Sequence, residues 1–160
     1  MTLTIEPEAW GSPVGQALVH ALDRDLDERY AGDVDIEGEP DRAMLNVLGD
    51  TVIPPHGVFL VARLGGEPVG CGALRRHTDE EAEVKRMYVA PGGRGRGVGR
   101  ALLAALEAAG ACFGYPRLVL ETGVRQAEAM ALYESAGWTP IGNYGAYRNS
   151  PLSRCYEKRI

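Results

Sequence analysis

Between a strand-like run and a run rich in alanine and leucine, Gly93, Gly95, Gly97 and Gly99 alternate with Arg94, Arg96 and Val98, and Arg100 follows. Glycine in such number weakens regular structure, so the position of these residues carries the information. They stand between a strand pattern, AEVKRMYVA, and a helical pattern that opens at Val98. The first N–H groups of a helix have no acceptor within it, and the helix dipole adds roughly half a positive charge at that end. Glycines let the backbone approach an anion without a Cβ in the way, and Arg94, Arg96 and Arg100 surround the same point with charge. The stretch therefore predicts a phosphate-binding turn, against the plainer alternative of a flexible connector. Two familiar phosphate loops do not fit. Gly99-Arg100-Ala101 lacks the Gly-Lys-Ser/Thr ending of a nucleoside-triphosphate loop. Counted from Gly93 or Gly95, the last glycine of G-x-G-x-x-G falls on Val98 or Arg100, and the turn follows three strand patterns instead of opening a strand–helix–strand unit. What remains, from Arg94 to Gly99, is R-x-x-G-x-G.

Few other residues offer chemistry by spacing alone. His20, His56 and His77 have no Asp, Glu or Cys partner at metal-ligand spacing, so no metal site is expected. Cys71, Cys112 and Cys155 are odd in number and irregular in spacing, neither a disulfide framework nor a zinc signature. Glu83 lies six residues before Val89 in one strand pattern. Strand alternation puts it on one face with Lys85, Met87 and Val89.

The elements that must position these residues follow from pattern. TLTIE alternates and predicts a first strand. Ser12 is a suitable N-cap with Pro13 at the first helical position, and Val14, Ala17, Leu18, Ala21, Leu22 and Leu26 continue at helical spacing. Residues 31–56 are rich in Gly, Asp, Glu and Pro around one apolar island, Met44 to Val47, which fits either a short helix or an irregular loop. GVFLVARL and PVGCGAL flank a GGE turn and predict a hairpin, and AEVKRMYVA adds a third strand. Val98, Ala101, Leu102, Ala105, Leu106 and Ala109 form one helical stripe. RLVLET reads as a buried strand, QAEAMALYESAG as a short helix closed by Gly137, and WTPI and SRCYEKRI as final strands. The fold class is thus α/β: a mixed sheet with helices on its faces, in one domain spanning 1–160.

The 160 residues are 45% apolar and 24% charged, ordinary globular values. A net charge of −5 argues against general binding of nucleic acid or anionic membranes. The Arg–Gly run also resembles an RNA-binding segment, but such segments are longer and disordered, whereas this one leads into a helix. MTLTIEPEAW lacks the basic flank and apolar core of a signal peptide, and no apolar run approaches the roughly 20 residues of a membrane span. A soluble cytoplasmic protein is expected.

With its preceding E-x-K-R-M-Y-V strand, R-x-x-G-x-G resembles the acetyl-CoA-binding signature of the GCN5-related N-acetyltransferases (GNAT). QAEAMALYESAGW resembles the family's second signature, N-x-x-A-x-x-L-Y-E-x-x-G-F, with Gln126 in place of asparagine, Trp138 in place of phenylalanine, and Tyr133 as the tyrosine. The stretch from Leu120 to Lys158 further resembles small bacterial acetyltransferases labelled as auxin- or amino-acid-acetylating. The resemblance implies a GNAT fold, with a central, mostly antiparallel sheet, a splayed strand pair and helices on both faces. It implies acetyl-CoA as co-substrate, held by the backbone of Arg94, Gly95, Arg96, Gly97, Val98 and Gly99, with Arg100 and Gln126 nearby. The backbone at Met87, Tyr88 and Val89 would pair with the pantetheine arm like an added strand and polarise the thioester. Glu83 would be the general base and Tyr133 the donor to the leaving thiolate, with Glu121 a second candidate base near the thioester. Asn143, Tyr144, Tyr147 and Arg154 would shape the acceptor pocket, Arg154 pairing with a substrate carboxylate. The implied partner is a small-molecule amine, with no metal and no covalent enzyme intermediate, and a homodimer is expected. The rival reading is a non-catalytic acyl-CoA sensor or partner-binding module on the same fold.

Overall fold

The computed structural model describes residues 1–41 and 48–160; the Met44–Val47 island falls outside the described residues. After strand β1 (Leu3–Pro7), Ser12 starts the first helix as its chemistry requires: its hydroxyl accepts a hydrogen bond from Gly15 N at 3.0 Å, and Pro13 opens helix α1 (Pro13–Arg29). β2 (Val58–Leu64), β3 (Glu67–Arg76) and β4 (Glu81–Val89) form an antiparallel meander. The glycine turn leads into α2 (Val98–Cys112), then β5 (Arg117–Gly123), α3 (Ala127–Ser135), β6 (Thr139–Ile141) and β7 (Ser153–Arg159). The strands form one sheet in the order β1-β2-β3-β4-β5-β7-β6, antiparallel except between β4 and β5.

Apolar residues fill both faces. On one, Val98, Leu102, Leu103 and Leu106 of α2 and Tyr133 of α3 pack with Leu60, Leu74, Val84, Leu118 and Leu120 of the sheet. On the other, Leu18 and Val19 of α1 pack on Phe59, Val61, Cys71 and Ala73. Trp138 is accommodated beside Tyr133, ring centroids 6.1 Å apart.

Two departures from a regular sheet shape the centre. Pairing of β4 with β5 runs only from Glu81↔Arg117 to Val84↔Leu120. Beyond it, β4 stays with β3 as far as Val89↔Gly70, and β5 stays with β7 as far as Gly123↔Ser153. Residues 85–89 and 121–123 therefore border an open fork. Its closed end is held by Arg117, which ion-pairs with both Glu81 on β4 and Glu157 on β7.

The second departure is a β-bulge. Cys71↔Tyr88 and Ala73↔Lys85 are consecutive pairs of the register, so Arg86 and Met87 together oppose Gly72, and Arg86 takes φ 58°, a costly conformation for a residue with a Cβ. Its guanidinium is held by Asp23 of α1 at 2.8 Å. A bulge shifts strand parity by one residue. Ala82, Val84, Met87 and Val89 consequently pack on the α2 side and Tyr88 on the α1 side. The expected shared face of Glu83 with Met87 and Val89 is corrected here: Glu83 shares the α1 side with Lys85 only, and the bulge turns the other two away.

The central strands also have little room behind them. A Cβ on Gly70 would lie 2.8 Å from the Tyr88 carbonyl oxygen and 3.0 Å from Leu102 Cδ1. Because the first of these atoms is backbone, Gly70→Ala should cost about 1–3 kcal/mol, measured as a lower urea midpoint with an unchanged slope.

Candidate active site

The fork opens into two adjoining cavities. One, about 330 Å³, lies between the glycine turn, α3 and the end of β4; its lining includes Met87, Tyr88, Val89, Arg94, Gly95, Gly97, Val98 and Gly99. The other, about 410 Å³, lies on the α1 side; its lining includes Glu83, Lys85, Glu121, Thr122, Tyr147 and Ser153. Leu22, Met87, Gln126 and Tyr133 line both, so the two spaces meet at the tyrosine.

The first cavity has the geometry of an anion cradle. Gly95 and Gly97 take φ 72° and 77°, and a Cβ on either would meet nothing within 4 Å. Gly97 caps α2 with no side-chain hydrogen bond to the helix, which leaves its first N–H groups for a ligand. Of the three arginines only Arg94 lines this cavity. Its Nε donates to the Val89 carbonyl at 3.0 Å, and its guanidinium lies 3.7 Å from Asp25. Arg100 instead donates to Ser135 Oγ at 2.7 Å, and neither it nor Arg96 reaches the lining.

Across the fork, α1 is tied to the β5–α3 turn. Arg29 ion-pairs with Glu128, Arg125 donates to Asp33 at 2.8 Å, and Tyr30 Oη donates to Gln126 Oε1 at 3.4 Å. Gln126 Oε1 also accepts from Gly123 N at 3.1 Å. In this structure the glutamine, at the asparagine position of the signature, is thus engaged in shaping the turn.

The second cavity holds the titratable groups. Glu83, 2% exposed, is fully engaged: Arg75 Nε lies 2.9 Å from Oε1, Lys85 Nζ 3.8 Å from the same oxygen, and Tyr144 Oη donates to Oε2 at 2.5 Å. Glu121 accepts a hydrogen bond from Ser153 Oγ on Oε2 at 2.6 Å. Burial pushes its carboxyl up from 4.5 to about 7, opposed by the Ser153 hydrogen bond and by Lys85, and reinforced by Glu39 and Glu83. Burial also raises Tyr133 well above the ordinary phenol range, with the charge of Glu121 adding to it, so its hydroxyl stays a proton donor.

Of the residues expected from sequence, Glu83, Glu121, Tyr133, Tyr147, Gln126 and Met87 to Val89 come together, and Tyr144 reaches the group through Glu83. Arg154 does not. It pairs opposite Thr122, an exposed residue whose guanidinium donates to the carbonyls of Pro151 and Ser153, and it lines neither cavity. Strand alternation with buried Cys155 faces it away from the α1 side. Ser153, Thr122 and Glu39 line the second cavity without any signal in the sequence; Ser153 faces Glu121 only because β5 and β7 pair in this register.

A family model described as the Acetyltransferase (GNAT) family matches residues 19–138. The chain belongs to the GNAT acetyltransferase family. It is similar to an IAA acetyltransferase of Azospirillum brasilense, 40% identical over 150 residues, which covers 93% of this chain and 94% of that one. Among solved structures it is similar to an acyl-CoA N-acyltransferase from Klebsiella pneumoniae, with TM-score 0.79 and 32% identity over 99% of this chain and 97% of the other. A GNAT acetyltransferase from Elizabethkingia anophelis with acetyl-CoA bound shares the fold, with TM-score 0.67 and 19% identity over 99% of this chain and 98% of that one. This GNAT chain is therefore an acyltransferase on an acetyl-CoA-binding fold. Its glycine turn, α2 N-terminus and open fork are the features of the structure that fit the coenzyme.

The hydrogen bond from Tyr144 holds a buried carboxylate and is worth about 1.5–3 kcal/mol. Tyr144→Phe should lower stability by that amount, read from urea unfolding at pH 7.

Proposed function

We propose that this enzyme transfers an acetyl group directly from acetyl-CoA to the primary amine of a small molecule. The observation that carries the reading is the meeting of the two cavities at Tyr133. One offers an anion cradle and a strand edge, the other a carboxyl group near neutrality. Backbone amides of residues 94–99 would hold the diphosphate, and the unpaired edge of β4 past Val84 would align the pantetheine arm. When bound, the thioester supplies an activated acetyl carbon.

The side chains then have separate tasks. Glu121 removes a proton from the acceptor ammonium, leaving a neutral amine whose lone pair forms the new C–N bond. As the C–S bond breaks, Tyr133 gives its hydroxyl proton to the departing thiolate and recovers one from the amide nitrogen through solvent. Glu121 is favoured over Glu83 as base because both oxygens of Glu83 are already engaged by Arg75 and Tyr144. The second oxygen of Glu121 has no hydrogen-bond partner among the described residues. Glu83 then acts as a positioning residue, holding the Tyr144–Tyr147 segment beside the pocket through the Tyr144 hydroxyl.

Binding of acetyl-CoA tests the first half: calorimetry should give saturable binding, and saturation at 100 times Kd should stabilise the fold by about 2.7 kcal/mol. Absence of both would remove the cofactor assignment. For the second half, kcat/KM should rise with pH through about 7 as Glu121 ionises, then level off. The sign for stability is opposite: a carboxyl with a raised folded-state pKa contributes stability below its ordinary value that is lost as pH climbs through the same window. Glu121→Gln should cost about 100- to 10,000-fold in kcat and abolish the acidic limb. A variant that keeps both rate and limb would return the base role to Glu83.

A further inference from the structure

The charged lining of the α1-side cavity is mostly satisfied from within. Asp33 is held by Arg125, and Glu39 by Leu152 N and Ser150 Oγ. Glu83 is held by Arg75 and Tyr144, and Arg86 by Asp23. Among the described residues three ionisable side chains of the lining then remain incompletely used. They are Arg86, whose Nε is buried without a partner although its terminal nitrogen pairs with Asp23, Glu121, with one free oxygen, and Lys85, the cation at the mouth of the fork. The Lys85 side chain is only 10% exposed. Its ammonium has three donors, of which one goes to Tyr147 Oη at 2.9 Å. Glu83 Oε1, at 3.8 Å, is beyond hydrogen-bond range.

The plain reading, that Lys85 is there to neutralise Glu83, fails on geometry. Arg75 is closer to the same oxygen by 0.9 Å (3.8 against 2.9 Å). Burial lowers the Lys85 pKa, opposed mainly by Glu83, so the fold carries a cost for keeping a cation there. Unspent donors on a buried cation are expensive unless a ligand fills them.

Position adds the second half. Val84↔Leu120 is the last pair before the fork, so Lys85 and Glu121 are the first residues past it, across from one another and lining the same cavity. Paired strands lie about 4.8 Å apart, and these two have only begun to diverge. A cation and a proton acceptor that project from facing positions into one cavity, each feeling the other's charge without forming an ion pair, match the carboxylate and amine of one small molecule.

We infer that Lys85 anchors the carboxylate of the acceptor, and that this pocket takes small amino acids whose amine is presented to Glu121. The inference rests on the N-acetyltransferase reading above and replaces Arg154 as the carboxylate partner.

The test compares acids with their decarboxylated counterparts under saturating acetyl-CoA: alanine and β-alanine against ethylamine, leucine against isoamylamine, phenylalanine against phenethylamine. The wild type should favour the acid of its preferred pair by about 10- to 100-fold in kcat/KM, the worth of a hydrogen bond to a charged group. Lys85→Met should collapse that ratio towards one, chiefly through KM of the acid, whatever it does to the absolute rate. Lys85→Arg, which keeps the charge, should retain part of the preference. The wild-type comparison stands even if a variant fails to fold. Equal or better use of the decarboxylated amines by the wild type, or equal losses on both members of a pair in Lys85→Met, overturns the anchor and leaves the acetyltransferase reading intact. Acetyl-CoA binding with no acetylation of any member overturns the small-amine reading, and the anchor with it.

Discussion

Adjacent strands of a sheet are held by their ladder of backbone hydrogen bonds, and in this molecule one ladder stops half-way. β4 and β5 pair over four residues and then separate, each keeping its other neighbour. Every functional feature follows from that separation. Backbone groups in the centre of a sheet lose their partners there, a state a protein tolerates only where water or a ligand replaces them. The fork passes from one face of the sheet to the other, so it joins the glycine-turn cavity to the α1-side cavity. Arg117 clamps the closed end, and α1 and the β5–α3 turn close over the open end through Arg29, Asp33, Arg125 and Glu128.

The bulge at Arg86 is the companion constraint. By reversing parity in the middle of β4, it gives one strand two duties that regular alternation would set on the same face. Glu83 and Lys85 look into the polar cavity with α1, while Met87 and Val89 pack towards α2 and border the cofactor side. The conformational cost at Arg86 is offset by its pairing with Asp23, which also ties the bulge to α1. Stability and chemistry share residues here: the Glu83 cluster is a buried, hydrogen-bonded network that orders the Tyr144–Tyr147 segment, and the same cluster leaves Lys85 and Glu121 incompletely satisfied at the fork.

Much of this was legible in the order of residues because it is local. The anion turn needs only glycines, a strand before and a helix after, all within a few positions. Ser12 with Pro13 marked the start of α1, alternation and GGE marked the hairpin, and the apolar stripe from Val98 marked α2. Tyr133 was found through a signature on a single helix. Each of these signals is contained in one element and its immediate flanks.

What the chain order could not decide depends on contacts between distant elements. Alternation assigns faces correctly until a bulge interrupts it, and nothing around Arg86 announces one, since its φ is set by pairing with β3 and by Asp23. The choice between Glu83 and Glu121 turns on neighbours from elsewhere: Arg75 of β3 and Tyr144 occupy one carboxylate, while burial, against the opposing hydrogen bond from Ser153 of β7, leaves the other near neutrality. Arg154 was a reasonable anchor by composition, yet the β5–β7 register put it outside both cavities. By itself the sequence determined the family, the helices and strands, and the anion turn, because backbone preference and hydrophobic periodicity act over short range. The tertiary structure alone decided which buried charges are spent on one another and which stay incompletely paired, because electrostatic pairing is settled by distance in space.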